Sequence, residues 1–266
     1  MNEDAVHLVA LDRDHPGFRD PDYRRRRNEI AALALAHRFG AAAPEIAYTP
    51  AEQQVWRTVC SRLAPLHARH ACAAYVAGAR GAALPEHEIP TFARLNARLH
   101  AASGFHYEPV AGLVSPREFM SHLADGRFLA TQYMRHHSTP LYTPEPDVIH
   151  EMVGHAPALH DPRIAELHRR FGEATRRADE QRVEQLIRLY WFTLEFGLVE
   201  ESGQLKVVGA GLLSSFGELE RLGQVPRRPF SIAEITSTHF DPTDYQKIYF
   251  VAPDLDTLYA ALSAAL

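Results

Sequence analysis

Apolar residues recur at helical spacing over most of this chain. Val55, Val59, Leu63 and Leu66 lie three or four apart behind Pro50, which predicts one or two helices from Pro50 to about Ala79. Phe92, Leu95 and Leu99 define another amphipathic helix over 90–102. The same period runs through 163–177 and through 180–198, the latter carrying Leu186, Leu189, Tyr190, Leu194 and Leu198. Asp20-Pro21 provides a capping carboxylate and a first-turn proline, so a helix is predicted over 23–39. Pro116 opens a further helix, and Ser214 or Ser215 caps a short one over 216–222. Extended stretches are few: 105–110, 204–209 after the turn at Gly203, and 248–251 before a last helix from Asp254. The fold class expected is mostly α, an α+β chain with a few short strands.

Composition narrows the function classes. With 266 residues, 46% of them hydrophobic, the chain can bury one substantial core, so one domain over 1–266 is expected, with 1–20 partly flexible. A net charge of -5 and a pI near 6.3 suggest neither a nucleic-acid nor a membrane partner. The start, MNEDAVHLVALDRD, has no basic segment leading into an apolar one, and no run reaches membrane-spanning length, so a cytoplasmic location is expected. Cys60 and Cys72 show no CxxC spacing and are read as free, buried thiols. The run Arg24 to Arg27 reads as a solvated helix face with one arginine turned inward, and His67 and His70 as surface histidines.

The chemistry concentrates in Thr143-Pro144-Glu145-Pro146-Asp147-Val148-Ile149-His150-Glu151-Met152-Val153-Gly154-His155. Two histidines four apart share one face of an α-helix and can bind one metal, but here the step is five, about 140° of rotation. Both rings can meet one ion if His155 sits where the helix ends, and Gly154 is expected to end it through a left-handed conformation. A third ligand is sought downstream, where Glu195 stands between Leu194 and Phe196 in a run almost free of charge. A carboxylate buried there is costly unless paired or bound to metal. Two imidazoles and one carboxylate with a face left open form the facial triad of non-heme Fe(II) oxygenases. Asp147, three before His150, is expected to hydrogen-bond a ligand imidazole and fix its tautomer.

TPEPDVIHEMVGH, YWFTLEFGL and GAGLLSSFGEL, in that order, resemble the pterin-dependent aromatic amino acid hydroxylases, and the resemblance extends from about Asp12 to Ala252. It implies a single-domain catalytic core, a helical basket around an iron site held by His150, His155 and Glu195. It further implies Arg135 as the group that binds the substrate carboxylate, a task suited to a guanidinium fork, with Thr143, Trp191, Phe196, Gly211 and Ser214 around the substrate. Gly112, Leu113, Val114, Ser115 and Phe119 match the pterin loop, completed by Glu151 and Tyr190. The implied cofactors are Fe(II) and tetrahydrobiopterin or a related tetrahydropterin, with O2 as co-substrate, and the small-molecule partner is an aromatic amino acid. Larger members carry a regulatory domain and a tetramerising helix; neither is expected here, which predicts a monomer.

Departures from the pattern qualify the details. Pro116 stands where relatives commonly carry serine, stiffening the pterin loop. His7 falls near a mobile-lid tyrosine whose role is not transferred, and His136-His137 makes the link after Arg135 unusually rich in histidine. Trp191 and Phe216-Gly217 lean towards the phenylalanine and tyrosine hydroxylases, and Pro242 replaces an aspartate of the tyrosine enzymes. Conversion of L-phenylalanine to L-tyrosine is therefore the expected reaction, with a phenylalanine meta-hydroxylase or a tryptophan hydroxylase as alternatives within the family. Two rivals from other classes are a zinc hydrolase using Glu151 as base and a silent amino-acid-binding protein that keeps Arg135.

Overall fold

A computed structural model describes residues 11–266. His7 and the first half of the 1–20 segment lie outside the described residues. The helices are α1 (Pro21–Ala36), α2 (Pro50–His70), α3 (Ala73–Ala82), α4 (Phe92–Ser103), α5 (Pro116–Leu123), α6 (Ala156–His160), α7 (Pro162–Arg177), α8 (Glu180–Tyr190), α9 (Ala210–Leu213), α10 (Phe216–Arg221), α11 (Ile232–Ser237) and α12 (Leu255–Ala265). The strands are β1 (His106–Pro109), β2 (Arg127–Ala130), β3 (Leu198–Glu201), β4 (Gln204–Val207), β5 (Arg227–Pro229) and β6 (Tyr249–Ala252). The mostly helical α+β reading holds, and short polar side chains start the helices as anticipated. Asp20 caps α1, Thr49 and Glu52 form a reciprocal capping box on α2, and Ser215 rather than Ser214 caps α10.

β1 and β2 pair in parallel, and β4-β3-β6-β5 form a second sheet whose β3–β4 pair is an antiparallel hairpin turning at Ser202-Gly203. The parallel pairings of β3 with β6 and of β5 with β6 join segments about fifty and twenty residues apart, which local periodicity does not reveal. A main core fills the space between the helices, with Trp56, Phe92, Phe105, Tyr107, Phe128, Phe171, Phe192, Tyr249 and Phe250 almost fully buried, and a small second cluster joins Ile30, Ile46 and Tyr133. Cys60 and Cys72 are free thiols, and burial pushes Cys60 up to about 12 and Cys72 up to about 11.

Several local expectations are corrected. The helix does not end at Gly154: a π-helical turn covers His150–His155 and runs directly into α6, which continues to His160. Nor does one helix span 180–198; α8 gives way to a second π-helical turn over Trp191–Glu195, and Leu198 opens β3. His67 is not a surface histidine but half-buried, its Nε2 2.6 Å from the Leu213 carbonyl oxygen. Of the arginine run, Arg27 does turn inward, 2% exposed and 2.7 Å from Glu145, while Arg26 pairs with Glu52 at 3.0 Å.

Candidate active site

The two π-helical turns place the three candidate ligands. In a π turn the hydrogen bond spans five residues, so positions five apart stack over one another. The HExxxH spacing is thus satisfied by a local change of helix type, with the His150 and His155 ring centroids 4.7 Å apart and nearly perpendicular. Gly154 serves this arrangement through its size, since a Cβ there would lie 2.6 Å from the Ala210 carbonyl oxygen and 3.3 Å from the Ser214 Cβ. α9 therefore packs directly on the first turn. The second turn ends at Glu195, held by the Phe196 N–H to Trp191 carbonyl bond of 2.8 Å. A Cβ at Gly211 would lie 3.0 Å from Glu195 Oε2, so its missing side chain leaves that carboxylate oxygen clear.

The three side chains converge. His155 Nε2 lies 3.0 Å from His150 Nε2 and 3.2 Å from Glu195 Oε1, and His150 Nε2 is 3.9 Å from Glu195 Oε2. Ser214 Oγ donates to the Ala210 carbonyl at 2.9 Å, so its 3.0 Å contact with His150 Nδ1 takes the imidazole proton. That assignment leaves His150 Nε2 as a bare lone pair facing His155. Burial and the neighbouring His155 push His150 down to about 4, so it is neutral near pH 7. Burial acts to raise Glu195, but His155 and His150 outweigh it and hold the carboxyl down to about 2. Burial acts to lower the His155 imidazole, but Glu195 outweighs it and raises the group above its ordinary value, so a bound cation would displace a proton there. Two imidazoles and an ionised carboxylate at such separations are a donor set for a divalent cation. The side chains present fit iron.

The residue expected to orient a ligand imidazole does something else. The Asp147 carboxylate binds Arg135 Nε at 2.9 Å and Nη2 at 2.7 Å, accepts the Arg135 backbone N–H at 2.9 Å, and accepts the His150 backbone N–H at 3.2 Å. It fixes the start of the ligand turn and the guanidinium; the imidazole proton goes to Ser214.

A cavity of about 520 Å³ opens beside these groups. Gly112, Leu113, Val114, Phe119, Arg135, Thr143, Glu151, Tyr190, Trp191, Phe196, Gly211 and Ser214 line it together with His150, His155 and Glu195. Ser115 and Asp147 are not among the lining residues, and the Ser115 hydroxyl is used to cap α5 by accepting the Glu118 N–H. Glu151 accepts the backbone N–H and the hydroxyl of Thr131 at 3.0 and 3.1 Å, and burial pushes its carboxyl up to about 7. The Tyr190 hydroxyl is buried and without a hydrogen-bond partner among the described residues. Sequence reasoning missed the far wall, Phe240 with Thr243, Asp244 and Tyr245, and the buried Glu218. A carboxylate inside the apolar SSFGEL run was the available signal.

Over residues 5–264 the sequence matches the profile of the family described as biopterin-dependent aromatic amino acid hydroxylase. The chain belongs to that family. It is 41% identical over 254 residues to tyrosine 3-monooxygenase of Schistosoma mansoni, covering 93% of this chain and 55% of that protein. To phenylalanine-4-hydroxylase of Rattus norvegicus it is 41% identical over 257 residues, covering 94% and 57%. The chain thus spans somewhat more than half the length of these curated relatives. Among solved structures, phenylalanine hydroxylase of Chromobacterium violaceum with bound iron(III) and oxidised 7,8-dihydrobiopterin superposes with a TM-score of 0.82 at 29% identity, over 97% of this chain and 91% of that one. The helical basket is therefore the hydroxylase catalytic fold.

Proposed function

We propose that this chain is a monooxygenase that hydroxylates the ring of an aromatic amino acid, L-phenylalanine to L-tyrosine, using Fe(II), O2 and a tetrahydropterin. The observation that carries the reading is the convergence of His150, His155 and Glu195 on one wall of an aromatic-lined cavity. Membership of the family and the iron(III) and dihydrobiopterin bound to the C. violaceum enzyme support the same cofactors here.

His150, His155 and Glu195 would hold the iron, which with the reduced pterin supplies the oxidising chemistry. Ser214 takes the His150 Nδ1 proton and so keeps Nε2 available for the ion. Arg135, held flat by Asp147, presents its remaining donor face to the substrate carboxylate. Trp191 and Phe196 contact the substrate ring, with Thr143, Gly211 and Ser214 beside it. Phe119 lies against the pterin, Tyr190 offers its free hydroxyl to it, and Glu151 binds its polar edge. The 112–114 backbone carries the other side of that pocket. The apolar lining keeps water from the reacting centre.

A hydrolytic role for Glu151 is disfavoured because Thr131 already engages its Oε1 twice. No described helix is long and apolar enough to cross a membrane. Action as a cytoplasmic monomer completes the proposal, and the free thiols support a reducing compartment.

The test is anaerobic loading with Fe(II), then addition of tetrahydropterin, oxygen and each aromatic amino acid, with products identified by chromatography. Tyrosine from phenylalanine is expected, and His150→Ala is expected to lose both iron and turnover. Full turnover by His150→Ala would remove the proposed metal site, and a meta-hydroxylated product would correct the regiochemistry.

A further inference from the structure

Glu218 is a buried carboxylate, 3% exposed, that the reaction does not use. No cationic side chain forms an ion pair with it among the described residues. A carboxylate so enclosed is costly unless hydrogen-bonded, and its two oxygens are both engaged. Oε1 accepts the Gln246 backbone N–H at 2.7 Å and Oε2 accepts the Tyr249 hydroxyl. The carboxylate therefore fastens α10 to the segment that enters β6.

Gln246, itself 5% exposed, passes that constraint to the cavity. Its Nε2 donates to the Asp244 carbonyl at 3.4 Å, which turns Oε1 towards the indole N–H of Trp191, 2.8 Å away. The indole stacks on Phe240, with centroids 4.3 Å apart and planes 15° apart, and lies 4.7 Å from the Phe196 ring. Trp191, Phe240 and Phe196 all line the cavity. Without Gln246 the indole N–H has no protein acceptor, and because Trp191 is only half-buried it can turn towards water, widening the space between the aromatic planes.

We propose that Gln246, seated by Glu218, is a positioning residue that sets side-chain selectivity: it holds Trp191 as a fixed wall, so that a one-ring side chain is accepted over a two-ring one. The inference rests on the hydroxylase reading of the site. Gln246→Leu keeps most of the volume and removes the acceptor. A neutral hydrogen bond of this kind contributes enough to change the ratio of kcat/KM for phenylalanine over tryptophan roughly 2- to 10-fold.

The chain has two tryptophans, and the other, Trp56, is enclosed and bonded to the Pro85 carbonyl, so a change of emission reports Trp191. Gln246→Leu is expected to shift the emission and lower the phenylalanine preference by that factor. Trp191→Phe is expected to lower it similarly, and adding Gln246→Leu to Trp191→Phe to change nothing further. An unchanged ratio in either single variant overturns the inference, as does a Gln246→Leu effect that persists undiminished without Trp191. Should Gln246→Leu fail to fold, Gln246→Met takes its place in the same comparison, since it too lacks the amide oxygen that accepts the indole N–H. Wild-type protein that hydroxylates no aromatic amino acid overturns this inference and the functional reading together, whereas an active wild type with unmoved ratios overturns this inference only.

Discussion

Replacing Asp147 by alanine tests how fold and site are joined. The carboxylate is fully buried and accepts four hydrogen bonds, three from Arg135 and one from the His150 backbone. Alanine leaves the guanidinium, on a residue 5% exposed, with the Pro140 carbonyl at 3.4 Å as its only partner among the described residues. Removing one member of a buried pair typically costs about 3–5 kcal/mol, most of it the penalty of a charge left unpaired. For a domain of this size about 2 °C accompanies each kcal/mol, so the midpoint of thermal unfolding should fall by roughly 6–10 °C. Because the same guanidinium is the proposed carboxylate anchor, the KM for phenylalanine should rise as well. Calorimetry on the variant and on Asp147→Ala/Arg135→Met checks the logic, since removing both charges should restore part of the lost stability. A midpoint within 2 °C of wild type, or a double variant less stable than Asp147→Ala, would refute the reasoning.

Two further perturbations follow from the geometry. Gly154→Ala forces a Cβ to within 2.6 Å of a backbone oxygen of α9, which cannot swing aside as a side chain would; a loss of about 1–3 kcal/mol in urea unfolding is expected, with faster loss of iron on dialysis, and unchanged values for both would show that α9 yields freely. Glu145 is held below the usual glutamate range because His15 and Arg27 outweigh the effect of its burial. Its stabilising contribution is present above the ordinary pKa near 4.5 and lost as pH falls through the lower folded value, so the stability difference between wild type and Glu145→Gln should shrink below about pH 4.5 in denaturant titrations, and a difference constant from pH 7 to 3.5 would contradict the assignment.

Resemblance to the family picked out fewer than half of the residues that line the cavity, whereas the sequence alone determined the helical character, the capping residues and the three metal-ligand candidates. These are local or compositional properties: apolar period, a capping oxygen before a helix, histidines set close together, a carboxylate in apolar surroundings. What only the tertiary structure decided is how these residues meet. A five-residue histidine spacing fits a helix broken at glycine as well as a π turn, and the choice depends on α9 packing where a Gly154 side chain would stand. Asp147 sits one helical turn from His150 in either case, but its competition between an imidazole and a buried guanidinium is settled by the position of Arg135, twelve residues away. The parallel strand pairs and the Glu218–Gln246–Trp191 chain join segments tens of residues apart. Such contacts exist only after the backbone has closed on itself, and no local pattern encodes which distant partner a buried polar group will find.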